Sequence, residues 1–188
     1  ESNFSSFNKI VSKRKPYGIA TDIFNNPNKY GYDNIPSESF EKSVKIYGVK
    51  GNKGGAKRKV GYIDRDLTNN KDIYKFKLFH SYAYGSHYTV PPKIIIGKPG
   101  EICSETFLSI GPFSSEKEAR YCLSYIKTKF FRALLSFNRI QQNISQKTFE
   151  LIPMQKFDKE FSDKDLYSQY NLSDEEIRLI EDNIQEMI

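Results

Sequence analysis

Apolar positions follow two rhythms along this chain, and the change falls near Ser115. Before it, short runs rich in β-branched and aromatic residues are bounded by Gly, Pro or Asn: residues 43–49 (SVKIYGV), 59–63 (KVGYI), 75–79 (KFKLF), 92–97 (PKIIIG) and 106–111 (TFLSIG). Such runs predict strands. The unbroken apolar run in KIIIG predicts a central strand. Residues 25–39 (NNPNKYGYDNIPSES) are dense in turn formers and read as an ordered loop.

From Ser115 the spacing becomes helical. Ser115 and Glu118 make a capping box, and Ala119, Cys122, Leu123, Ile126, Phe130, Ala133, Leu134 and Phe137 follow on one face. One long amphipathic helix is predicted over residues 116–138, with Lys117, Arg120, Lys127 and Arg132 on its polar face. Ser162 is placed to cap a short helix within residues 161–170. Ser173 and Glu176 form a second capping box, stapled by Leu172 and Ile177, and Ile177, Ile180 and Ile184 continue a closing helix. The expected fold is a single α+β domain: a twisted mixed or barrel-like sheet, one long packing helix and a helical C-terminal tail. Residues 1–157 form its body, and residues 158–188 an acidic tail packed on it.

Charge sharpens this division. Residues 151–188 hold four Lys/Arg and ten Asp/Glu, a net of −6, against a net of +12 over residues 1–150. A basic body with an acidic tail points to a polyanionic partner for the body. An aromatic content of 14% and a hydrophobic content of 38% argue against a disordered chain. No apolar run has the length of a membrane span, and no signal peptide is expected. Cys103 and Cys122 stand far apart in no metal spacing, which suits core packing in a reduced, cytoplasmic protein. The chain opens on Glu1 rather than Met, as expected for a piece of a longer protein.

The stretch GVKGNKGGAKRKVG (residues 48–61) fails as a nucleotide loop, because no Gly-Lys-Ser/Thr and no GxGxxG follows. It reads instead as a hairpin loop whose glycines give mobility and whose cations either meet phosphates or stay solvated. NPNKY (residues 26–30) departs from the Asn-Pro-Pro-Tyr of adenine methyltransferases and reads as a turn. His80 and His87 have no carboxylate or Cys at ligand-like spacing, and Glu101 and Glu105 have no partner in view. Nothing in the sequence supports catalysis within the chain.

Residues 100–157 run in the order strand, capped helix, Gln/Asn/Ser-rich segment, then TFELIPM. SYIKTKFFRALLSF, the following NISQKTF and SDEEIRLIEDNI (residues 173–184) stand in the same order as similar motifs of one family. The chain thus resembles the C-terminal target-recognition region of bacterial adenine-specific DNA methyltransferases, including forms fused to an endonuclease. Residues 7–24 (FNKIVSKRKPYGIATDIF) resemble the opening of such domains more loosely, and the middle hardly at all. The resemblance implies a specificity domain that binds double-stranded DNA beside the remaining catalytic domain of a parent enzyme. That parent would methylate adenine with S-adenosylmethionine, and this chain would touch neither the cofactor nor the reacting base.

Expected DNA contacts are Lys13 and Arg14 near the N-terminus and Lys50, Lys53, Lys57, Arg58 and Lys59 in the glycine-rich stretch. Tyr84 is expected from HSYAYGSHY, where Tyr82, Tyr84 and Tyr88 alternate, and Arg139, Gln141, Gln142 and Lys147 from beyond the long helix. Arg, Gln and Asn are the usual readers of base edges. Two other classes stay open: a metal-dependent restriction endonuclease domain, and a protein-interaction module that does not bind DNA.

Overall fold

A computed structural model describes residues 5–52, 55–83, 90–139 and 143–187. The fold is α+β. Among the described residues the strands are β1 (Ser43–Asn52), β2 (Gly55–Asp64), β3 (Phe76–Ser81), β4 (Ile95–Gly97), β5 (Glu101–Cys103) and β6 (Phe107–Phe113). The helices α1 (Glu116–Lys127), α2 (Lys129–Phe137), α3 (Asp163–Gln169) and α4 (Asp174–Asn183) follow. The strands form two open three-stranded sheets of order β2-β1-β5 and β4-β3-β6. The first is mixed, with β1 antiparallel to β2 and parallel to β5; the second is antiparallel throughout.

The second sheet is a wall between two cores. Leu78, Leu108 and Ile110 face a helical core built with α1 and α2, whereas Phe79 and Phe107 face Val44, Ile46, Ile63 and Ile102 of the first sheet. The KIIIG run divides in the same way, Ile94 and Ile96 to the helical core and Ile95 to the other. That explains its unbroken apolar character, yet β4 is an edge strand and β3 the central one. Apolar residues on both faces report a covered sheet, not a central position.

The long helix bends at Thr128. Thr128 is extended (φ −61°, ψ 148°), ends α1 and starts α2, and its side chain accepts from Phe131 N–H. Asp163 completes the cap from 34 residues away, accepting from Lys129 N (3.0 Å) and Phe130 N (2.8 Å). Two more N–H groups at the new helix start are thereby satisfied. Arg132 does not lie on a solvated face: it is buried, donating to the carbonyls of Lys127 and Thr128 at the bend and of Gln185 in the tail. The acidic tail is tied to the same place by Lys129–Glu181 (2.5 Å) and by Tyr167 donating to Glu181 (2.9 Å).

The N-terminal segment stitches both halves together. Phe7 N donates to Ile152 O, Ser12 N to Ser109 O and Glu105 N to Ile19 O, each at 2.8 Å. At the start of β3, the fully buried Lys77 donates to the carbonyls of Ile73 (3.2 Å), Lys75 (2.6 Å) and Lys98 (3.1 Å). Burial pushes its pKa down to about 8. Cys103 and Cys122 are free and buried, and burial raises both thiol pKa values. Among the described residues, no helix is long and apolar enough to cross a membrane.

Candidate nucleic-acid interface

Residues 48–52 and 55–61 are strand rather than loop. β5 pairs with β1 only at Lys45, Ile46 and Tyr47, so β1 and β2 continue past it as a two-stranded ribbon. The ribbon has five rungs, from Gly48–Lys59 to Asn52–Gly55. Five rungs span roughly 14 Å. Pleating sorts its cations: Lys50, Lys57 and Lys59 share one face, and Arg58 lies on the other. Lys50 and Lys57 are directly opposite each other, and both are exposed along with Lys59. Among the described residues none of the three joins an ion pair.

Two of the glycines serve packing rather than mobility. A Cβ on Gly48 would sit 2.7 Å from the Phe24 ring, and one on Gly61 would sit 2.5 Å from Ile35. The ribbon is also clipped at Gly51, whose N–H donates to Asn25 Oδ1 and whose carbonyl accepts from Asn25 Nδ2, both at 3.0 Å. Its Lys50 flanks a cleft of about 360 Å³ whose lining includes Asn26, Asn28, Lys29 and Asn34. NPNKY is a 3-10 turn, as expected, with the Tyr30 hydroxyl accepting from Ala20 N.

The other face of the ribbon meets the end of the second sheet. The Arg58 guanidinium lies 5.6 Å from the Phe107 ring centroid, with Nη2 3.4 Å from Ser81 Oγ. Burial lowers the Arg58 pKa. One residue beyond Ser81, the Tyr82 ring packs toward the helical core and carries the Arg14 guanidinium 5.3 Å from its centroid. Arg14 Nε also pairs with Glu105 Oε1 at 2.5 Å. Two arginines thus reach the same sheet end by different routes, Arg58 from the hairpin and Arg14 from the N-terminal turn.

The region beyond the long helix joins this end. Ala83 bridges to Asn143, and Ile144 N donates to Tyr82 O at 2.7 Å. Arg139 lies close enough to His80 that its charge helps to lower the imidazole pKa. Lys13 and Lys147 are exposed, and the Lys147 carbonyl accepts from Asn138 Nδ2. Gln146, within the amide-rich segment, instead ties down the N-terminus by donating to Asn8 O and Val11 O. Lys53, Tyr84, His87, Gln141 and Gln142 lie outside the described residues.

Glu101 and Glu105 do have partners. Glu101 accepts from Lys45, Tyr47 and the Lys98 N–H, and Glu105 holds Arg14. No local pattern marks the Lys45, Tyr47 and Arg14 contacts, because those partners lie on segments distant in sequence; only the Lys98 N–H, three residues before Glu101, is local. Among the described residues, no three His, Cys, Asp or Glu side chains come together as a metal site.

His80 is fully buried, and its Nδ1–H donates to Ser81 O at 2.9 Å. Burial, aided by the Arg139 charge, pushes its pKa down to about 4. The unfolded chain therefore binds a proton, near pH 6.5, that the folded chain refuses until about pH 4. His80 contributes stability that is complete above pH 6.5 and is lost as the pH falls toward 4, up to roughly 3 kcal/mol. Denaturant melts at pH 7 and pH 4 check this: His80→Gln is expected to show a smaller drop than wild type.

Neither protein-family models nor curated proteins yield a match to this chain.

Proposed function

We propose that this chain binds duplex DNA and reads a target sequence, as the specificity domain of an adenine-specific restriction-modification enzyme. The carrying observation is the Lys50–Lys57 rung with Lys59 beside it. Like charges directly opposite on a strand pair oppose folding, so a polyanion is the ligand that turns that cost into binding. A two-stranded ribbon has the dimensions of the B-DNA major groove. Lys50, Lys57 and Lys59 on its open face suit the phosphates that wall that groove, while Arg58 holds the other face against the second sheet. The motif order of residues 100–157 supports the finer assignment, in which a separate catalytic domain of the parent holds S-adenosylmethionine and methylates the adenine.

The test is a fluorescence-anisotropy titration of the chain with labelled duplexes over a salt series. Binding is expected to weaken linearly in log–log form, with a slope of about −0.9 per phosphate contacted. No binding at low salt, or binding indifferent to salt, would remove the proposal.

A further inference from the structure

We infer that Arg14 reads a guanine in the target, with Glu105 as its positioning residue; this rests on the DNA-binding reading above. The Glu105 carboxylate takes the Arg14 Nε edge at 2.5 Å and is itself only 16% exposed, so it is a firm anchor. Glu105 sits in a fixed turn: its N–H donates to Ile19 O, and the adjoining Phe107 N–H donates to Ser104 O. The Tyr82 ring lies against the guanidinium at 5.3 Å and limits how it can swing. Tyr82 is fixed in turn, its N–H donating to Thr106 O at 2.9 Å.

The backbone under Arg14 is equally constrained. Ser12 pairs with Ser109 through both its N–H and its Oγ, and Lys15 turns the chain with a left-handed φ of 62°. The Arg14 side chain as a whole is still 63% exposed. With Nε engaged, the two Nη groups are the paired donors of the planar fork left for a ligand.

That fork fits one base edge. In the major groove only guanine presents two adjacent acceptors, O6 and N7, whereas adenine pairs an acceptor with a donor, cytosine offers a donor, and thymine pairs its acceptor with a methyl group. A pinned arginine loses little freedom on contact, which is the condition for discrimination rather than mere attraction.

The experiment is selection of bound duplexes from a random-sequence library by the chain, compared with Arg14→Lys and Glu105→Gln. Lysine keeps the charge and loses the fork. Wild type is expected to enrich guanine at one position, and Arg14→Lys to reduce that preference about ten- to a hundredfold with an unchanged salt slope and melting temperature. Glu105→Gln is expected to relax the same position without weakening overall affinity. If Arg14→Lys keeps the wild-type guanine preference, the assignment falls while DNA binding stands. If Arg14→Ala flattens the salt slope by about one contact and weakens all duplexes alike, Arg14 is a phosphate contact and the assignment falls. Absence of wild-type binding would sink both readings together.

Discussion

A Phe7→Ala variant is expected to lose about 3–5 kcal/mol of stability, although Phe7 belongs to no helix or strand of more than one turn. Phe7 is fully buried in the helical core. Its ring meets Phe131 edge-on at 5.0 Å, Tyr125 at 6.0 Å and Phe157 at 6.3 Å, and tilts against Phe149 at 5.9 Å. Truncation removes the ring's transfer free energy, leaves a cavity among aromatic neighbours that cannot collapse into it, and forfeits edge-to-face contacts. For a chain of this size such a loss lowers the melting temperature by roughly 10–15 °C. Phe40→Ala, at a side chain 40% exposed, is the control and is expected to shift it little. Calorimetry on both variants checks this. Equal effects would mean that the N-terminal segment is not part of the cooperative core.

Replacing Lys50, Lys57 and Lys59 together with Ala is expected to weaken binding to every duplex alike. If each meets one phosphate, the salt slope flattens by about 2.7, and near 0.1 M salt the affinity falls by roughly 500-fold. The three side chains are exposed and share a face, so the loss should come without unfolding. Relief of the Lys50–Lys57 repulsion should even stabilise the hairpin slightly. The grouping differs from the one the sequence invites. Lys57 and Arg58 are neighbours in the chain, but alternation sends Arg58 toward Phe107 and Ser81, away from the lysine face. Arg58→Ala alone is therefore expected to leave most of that salt slope in place and to disturb instead the contact with Phe107 and Ser81. An unchanged slope in the triple variant would show that the ribbon does not touch phosphate.

The sequence by itself determined the elements whose signals are local. Strand segments followed from β-branched runs between turn residues, and the starts of α1, α3 and α4 from Ser115, Ser162 and Ser173. In each of these the cap needs only a side chain and an N–H three residues on, as Ser173 and Glu176 show in full. Charge segregation was legible for the same reason, since it is a sum over residues. The tertiary structure decided whatever depends on a partner distant in the chain. Thr128 can break a helix only because Asp163 arrives to cap the new start. β5 is a three-residue strand that exists by pairing with β1, and its composition alone is too short to declare it. Gly48 and Gly61 look like hinge residues until Phe24 and Ile35 are found packed against them. The candidate site belongs to this second class: Arg14, Arg58, Tyr82 and Glu105 come from four separate segments, and only the pairing of β3 with β6, stitched to the N-terminal turn, brings them to one sheet end.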